Sequence, residues 1–230
     1  MKTIGMIGGM SWESTVTYYS IVNQAVKQAL GGLHSAKVLL YSVDFQIIEQ
    51  HQSAGEWDKA AEILTDVAQK LEKAGSDFIV ICSNTMHKVA PRIQSGITIP
   101  LVHIAEATAQ VLLKSNITKV ALLGTRYTMT EDFYKSKLNQ AGITVLIPDK
   151  QEIVTINDVI FNELCVGIVS NESKKKYLQV IQRLAQEGAQ GVVLGCTEIG
   201  MLIGQADTML PIYDTAQIHA LIAAERALQI

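Results

Sequence analysis

LEKAGSDFIVICSNT, residues 71–85, reads as the tail of a helix, a glycine stop, a buried apolar strand and a short polar turn. A second stretch, LAQEGAQGVVLGCTE at residues 184–198, has the same plan. Laid together without a gap, Leu71 falls on Leu184 and Gly75 on Gly188. Ile79-Val80-Ile81 falls on Val192-Val193-Leu194, and Ser83 on Cys196. A hydroxyl and a thiol therefore occupy equivalent places at the carboxyl ends of two strands.

Outward from these stretches, strands and helices alternate. Ile4–Ile7 reads as a buried strand running into Gly8-Gly9-Met10-Ser11, with a helix from about Ser11 or Trp12 to Leu30, stopped by Gly31-Gly32. Val38–Ser42 is a strand, followed by a polar stretch through Gln50-His51-Gln52-Ser53. Trp57–Lys73 is a helix, Phe78–Cys82 a strand, and Leu101–His103 another, introduced by Pro100. The pattern then restarts. Lys119–Leu123 runs into Gly124-Thr125-Arg126, with a helix through Phe133 and Tyr134. A strand near Thr144–Ile147, helices at about Ile153–Val169 and Lys174–Glu187, and the Gly191–Gly195 strand follow. Leu210–Asp214 echoes Ile99–His103, and a last helix spans about Thr215–Leu228.

Three landmarks recur in order at offsets of 116, 113 and 111 residues, as a duplicated unit with a few deletions gives. Alternating strands and helices imply parallel sheets with right-handed crossovers. The expected fold is α/β: two pseudo-symmetric doubly wound lobes, each with a small parallel sheet, and a site in the cleft between them. Residues 1–97 plus 210–230 form the first lobe of this reading, and residues 98–209 the second.

Composition narrows the function classes. Of the 230 residues, 48% are hydrophobic, ample for a sizeable core, and the net charge of −3 argues against a nucleic-acid footprint. The run Lys174-Lys175-Lys176 reads as a solvated helix face. No apolar run approaches the roughly 18 residues of a membrane span, and no signal peptide opens the chain. The three cysteines, Cys82, Cys165 and Cys196, form no CxxC pair, which points to free thiols in a reducing compartment. A cytoplasmic protein is expected.

In open parallel sheets ligands bind beyond the carboxyl ends of the strands. Four polar loops are expected there: Gly8–Ser11, Ser83–Thr85, Gly124–Thr128 and Cys196–Glu198. Helices starting after them aim free N–H groups at an anion. The short side chains of Ser83-Asn84-Thr85, with no lysine in the turn, suit a carboxylate better than a P-loop phosphate. Gly5-Met-Ile-Gly8-Gly9 does not fit the dinucleotide fingerprint, and Asp44 is the nearest candidate for its ribose-binding acid. Cys196 follows its strand, and a helix amino terminus there lowers a thiol from about 8.5 toward neutrality. Cys82 reads as the inward-facing end of its strand and Cys165 as a core residue on a helix. His87, four residues after Ser83, can approach its hydroxyl on a helix, which leaves a serine–histidine hydrolase as one reading, although GxSxG is absent. The five histidines are scattered with no HxxxH, so no metal site is expected.

SNTMH at 83–87 and GCTE at 195–198 resemble the paired motifs of the aspartate/glutamate racemase superfamily. The resemblance covers essentially the whole chain, including IGGMSW at 7–12 and LGT at 123–125. Within the superfamily it points to the L-aspartate/L-glutamate-specific or broad-specificity amino-acid racemases. It implies an isomerase that works without pyridoxal phosphate or metal, on a small amino acid, as a homodimer. Two groups, one on each face of the substrate, then remove and return the α-proton. Most family members have cysteine at both places, whereas this chain offers Ser83; the branch it resembles has a hydroxyl residue there. The implied roles are Cys196 as the base toward the L-isomer and Ser83 as proton donor on the opposite face. Asn84, Thr85, Thr125 and Thr197 hold the α-carboxylate and amine by motif position, and Met10 (through its backbone) and Gln52 resemble substrate-contacting positions. Arg126 is a candidate for a distal carboxylate, and Glu198 for the substrate ammonium or for capping its helix. A single-cysteine decarboxylase or isomerase of the superfamily, and a ligand-binding relative without activity, are the alternatives.

Overall fold

The computed structural model describes residues 1–229. The apolar run at the start forms β1 (Ile4–Gly8), and the chain enters α1 (Trp12–Leu30) through Ser11, whose Oγ accepts from the Ser14 N–H at 3.3 Å. There follow β2 (Val38–Ser42), α2 (Phe45–Ser53), α3 (Trp57–Lys73), β3 (Phe78–Ile81), α4 (Ala90–Ser95) and β4 (Leu101–Val102). After α5 (Ile104–Lys114) the order begins again with β5 (Lys119–Gly124), α6 (Arg126–Thr130), α7 (Asp132–Gln140) and β6 (Thr144–Leu146). The chain continues through α8 (Lys150–Asn162), α9 (Asn171–Gln186), β7 (Val192–Gly195), α10 (Ile199–Leu202), β8 (Ile212–Asp214) and α11 (Thr215–Leu228).

Two four-stranded sheets result, ordered β2-β1-β3-β4 and β6-β5-β7-β8, and every pairing is parallel. The two orders are the same when read from the first strand of each series, so the duplication seen in the sequence is a duplication of topology. Two compact units divide the chain: Met1–Ile104 with the carboxyl-terminal segment from His219, and Ala105–Ile218. The central strands β3 and β7 are buried along their whole length, which is why they read as unbroken apolar runs rather than alternating ones.

Each unit has its own core. In the first, Ile7, Ile48, Leu64, Ile79, Ile81, Met86 and Ile93 pack together; in the second, Leu123, Ile156, Ile160, Tyr177, Ile181, Val192 and Leu194 do. Burying one such aliphatic side chain is worth about 1.5–3 kcal/mol. Tyr177 is buried without loss because its hydroxyl donates to the Ile156 carbonyl at 3.0 Å.

Local structure departs from the sequence reading in several places, among them α4, α5 and α10, which that reading did not contain. The polar stretch at 50–53 is the end of a helix, α2, capped by Asp44, whose carboxylate accepts from the Gln46 N–H at 3.1 Å. Only Ile48 and Gln52 of α2 are buried, so its apolar periodicity is faint. The helix expected through Phe133 and Tyr134 is two helices, because Glu131 is extended at φ −87° and ψ 160°. The helix expected to reach Val169 stops at Asn162; a short 3-10 turn over 164–166 follows, closed by Gly167 at φ 77°. Cys165 lies on that turn and is only partly buried, not a core helix residue. The lysine run does face solvent, with Lys174 paired to Asp207 and Lys176 to Glu172. Among the described residues no helix is long and apolar enough to cross a membrane.

Candidate active site

The carboxyl ends of β1 and β3 bring the first set of candidate residues together. The strands run side by side in register, Ile7 opposite Ile81, so the turn carrying Met10 and Ser11 adjoins the turn carrying Ser83, Asn84 and Thr85. Gly9 makes the first turn possible. It has φ +92°, and a Cβ there lies 2.2 Å from the Val43 carbonyl oxygen. The Gly9 N–H donates to Thr15 Oγ1 at 2.8 Å, and that hydroxyl donates to the Ser11 carbonyl at 2.8 Å. Met10 is buried in the core cluster of this unit, and Gln52 is buried on α2.

Ser83 is 8% exposed, and its Oγ accepts from the Met86 N–H at 3.5 Å. Cys82, one residue earlier, is fully buried, and burial pushes its thiol far above the ordinary range. That environment suits a structural side chain. Asn84 and Thr85 lead into a 3-10 turn over 85–89, so the polar triplet sits at the mouth of the turn rather than under a long helix.

In the second unit β5 and β7 are neighbours with Gly124 opposite Gly195, which sets the next residues, Thr125 and Cys196, beside one another at the strand ends. The paired glycines permit this close approach. A Cβ on Gly124 lies 2.8 Å from the Gly195 carbonyl oxygen, and one on Gly195 lies 3.1 Å from the Thr128 methyl. Thr125 caps α6, accepting from the Thr128 N–H at 3.3 Å, as Ser11 caps α1. Arg126 projects at the start of α6 with its guanidinium 5.2 Å from the Tyr127 ring centroid, and its backbone N–H donates to Asn157.

Cys196 is 7% exposed, and its thiol donates to Glu198 Oε2 at 3.0 Å. Thr197 Oγ1 donates to the same oxygen at 2.6 Å. The expected lowering of this thiol by a helix amino terminus is overturned. Burial, and then the Glu198 carboxylate, raise it well above its ordinary value. The physical reason is visible in the local structure. The helix that follows, α10, has four residues, too few for an effective dipole, and Glu198 stands at its N-cap with a negative charge. Burial and the Glu198 carboxylate therefore both favour the thiol form of Cys196 over the thiolate.

His87 does not serve the Ser83 hydroxyl. Its Nδ1 bonds the Ser83 carbonyl oxygen at 2.7 Å, and its Nε2 accepts from the Ile104 N–H at 3.1 Å. Both ring nitrogens are committed to backbone, and burial holds the ring neutral by lowering it to about 4. The serine–histidine hydrolase geometry is absent. The spacing of four residues did predict proximity, but to the carbonyl of Ser83 rather than to its side chain.

Sequence reasoning missed what stands behind His87: His219 on α11 and Tyr18 on α1, far apart in the chain and bonded to each other at 2.8 Å. A lone histidine in an apolar helix, with a tyrosine in the first helix, carries no local signature of such a pairing. The start of α8 was legible in retrospect, because Asp149 and Glu152 form a capping box.

A family model described as Asp/Glu/Hydantoin racemase matches residues 7–223. A broad specificity amino-acid racemase of Bacillus subtilis (strain 168) is 24% identical over 219 residues, covering 93% of this chain and 92% of its own. Among solved structures, a Yersinia pestis protein provisionally described as an Asp/Glu racemase is 50% identical with a TM-score of 0.95, covering 100% of both chains. An aspartate racemase homologue from Pyrococcus horikoshii OT3 is 35% identical with a TM-score of 0.87, again over 100% of both chains.

Proposed function

The chain belongs to the Asp/Glu/Hydantoin racemase family, and from that premise we propose that it is a cofactor-independent racemase of an acidic amino acid, L-aspartate or L-glutamate. Cys196 takes the α-proton of the L-isomer, and Ser83, directly or through a water, supplies a proton to the opposite face. The observation that carries this reading is the pair of duplicated strand ends, one with the Cys196 thiol bonded to Glu198 and the other with Ser83 at the equivalent position.

The chemistry follows from those groups. The α C–H bond breaks, its electron pair delocalises into the substrate carboxylate, and the proton passes to the Cys196 thiolate. A new C–H bond then forms on the opposite face with the proton of the Ser83 hydroxyl, which recovers one from water while Cys196 returns its own to water. A carbanion of this kind needs preorganised donors in a water-poor site. Asn84, Thr85, Thr125 and Thr197, with Gln52 and the Met10 backbone, supply them in this proposal. Glu198 has two duties. In the free protein its charge keeps the proton on Cys196. When the substrate ammonium approaches, the positive charge offsets the carboxylate and the Cys196 thiol gives its proton to solvent more easily, leaving the thiolate. The base is thus released only when there is a proton to remove.

A hydroxyl is a far weaker base than a thiolate, so the two faces are unequal. α-Proton exchange from the L-isomer is therefore faster than from the D-isomer, while net inversion in either direction passes through the same Ser83 step. The experiment is chiral chromatography of L-aspartate and L-glutamate after incubation with the protein and with Cys196→Ala. Formation of the D-isomer by the unaltered protein alone supports the proposal. No D-isomer from either amino acid, or equal formation by Cys196→Ala, contradicts it, and carbon dioxide release from a malonate favours a decarboxylase instead.

A further inference from the structure

Three histidines, His87, His103 and His219, converge in the first unit, and the hydrogen bonds of His87 and His219 leave those two no choice of tautomer. A carbonyl oxygen only accepts, so the 2.7 Å contact between His87 Nδ1 and the Ser83 oxygen requires a proton on Nδ1. His87 Nε2 must then be bare, as it is for a ring that accepts from the Ile104 N–H. His219 is the reverse. Its Nε2 donates to the Val102 carbonyl at 2.8 Å, and its Nδ1 accepts from the Tyr18 hydroxyl at 2.8 Å. The His87 ring lies 4.7 Å from the His103 ring and 5.5 Å from that of His219, centroid to centroid.

The two histidines grip one short segment from both ends, the Val102 carbonyl by His219 and the Ile104 amide by His87. Tyr18, Phe78, His87 and His219 are all fully buried, so the grip is set in packed core. The Ser83 carbonyl is thus tied through His87 to the start of α5, and the Val102 carbonyl two residues earlier is tied through His219 and Tyr18 to α1. By contrast, among the described residues the Ser83 hydroxyl is held within its own turn by a long 3.5 Å contact with the Met86 N–H.

We propose that His87 is a positioning residue for the racemase reaction: by holding the Ser83 carbonyl it fixes the peptide on which the Ser83 hydroxyl is presented to the substrate, and it governs one face of the reaction only. This rests on the racemase reading above. Misplacing a reacting group by about 1 Å costs on the order of a hundredfold in rate. Cys196 stands on a different strand end in the second unit, with its own partner in Glu198, so the L-face step does not depend on His87.

The faces can be read separately from one starting material. With L-aspartate or L-glutamate in deuterated water, exchange with retention of configuration reports Cys196 alone, whereas formation of the D-isomer also needs the Ser83 face. His87→Leu fills the ring volume without a donor; it is expected to lower the ratio of inversion to exchange at least tenfold, with exchange itself falling less than threefold. His87→Asn places an amide N–H where Nδ1–H stood and recovers most of the ratio. If His87→Leu does not fold, His87→Gln, whose amide reaches the Nε2 position instead, takes its place and lowers the ratio. Nitrogen-15 correlation spectra of the unaltered protein should show His87 as the Nδ1–H tautomer and His219 as the Nε2–H tautomer. Equal loss of inversion and exchange, an unchanged ratio, or a shared tautomer overturns the inference alone. Absence of both exchange and inversion in the unaltered protein overturns the racemase reading and the inference with it.

Discussion

Replacing Glu198 by glutamine keeps its shape and removes the charge that faces Cys196. The thiol donates to Glu198 Oε2 at 3.0 Å, and the same oxygen accepts from Thr197. Burial is the larger cause of the raised thiol, and the carboxylate the next; the substitution removes only the second. Two negative charges about 4 Å apart, at an effective dielectric of ~20, repel by about 4 kcal/mol. At about 1.4 kcal/mol for each factor of ten, that is roughly a thousandfold in the thiolate population. This is a ceiling, since water and the amide dipole replace part of the lost field, and a rise of at least tenfold is the expected outcome. The assay is alkylation of the ligand-free protein by iodoacetamide at neutral pH, followed by mass spectrometry of the peptide holding Cys196, which separates it from Cys82 and Cys165. The same variant should bind an amino-acid substrate less well, raising KM, because the ammonium loses its partner. Alkylation that is unchanged or slower in Glu198→Gln refutes the claim that this carboxylate holds the proton on the thiol.

Gly124→Ala drives a methyl into the Gly195 carbonyl oxygen at 2.8 Å, and the strain should destabilise the second unit by about 1–3 kcal/mol in denaturant titration; unaltered stability contradicts the close approach of β5 and β7. Acid should weaken the first unit. Burial holds His87 and His219 neutral, lowering them to about 4 and about 3, against roughly 6.5 in the unfolded chain. The unfolded chain binds more protons in this window, so the stability is whole above about pH 6.5 and declines as pH falls toward 4. For His87 the decline amounts to about 3 kcal/mol by pH 4, and a flat unfolding free energy between pH 7 and 4.5 would argue against the buried neutral rings. Ser83→Cys should accelerate turnover that begins from the D-isomer by tenfold or more, and an unchanged or lower D-rate counts against Ser83 as the group on that face.

What could be read from the chain depended on how local the physics was. The strands that end in Ser83 and Cys196 were legible because strands buried on both faces are continuous apolar runs, and glycines at 75 and 188, with φ of +99° and +95°, mark where the preceding helices stop. Helix α2 was hidden because only Ile48 and Gln52 face inward, too few to give a period. The state of Cys196 was misread for a different reason. A strand followed by a helix ordinarily favours a thiolate, but this thiol is buried, the helix has four residues and Glu198 brings its charge to the cap. Local sequence does not report which of these effects is larger. The tie from Tyr18 through His219 to Val102 joins residues 201 and 117 positions apart, and no pattern within a window announces it.

The central claim is that one face of the α-carbon meets a thiol and the other a hydroxyl. Proton NMR of L- and D-aspartate, and of L- and D-glutamate, in deuterated water with the unaltered protein tests it most directly. The account predicts loss of the α-proton signal from an L-isomer much faster than from its mirror image, and none from the L-isomer with Cys196→Ala. Equal loss from both isomers, or loss that persists without the Cys196 sulfur, contradicts it.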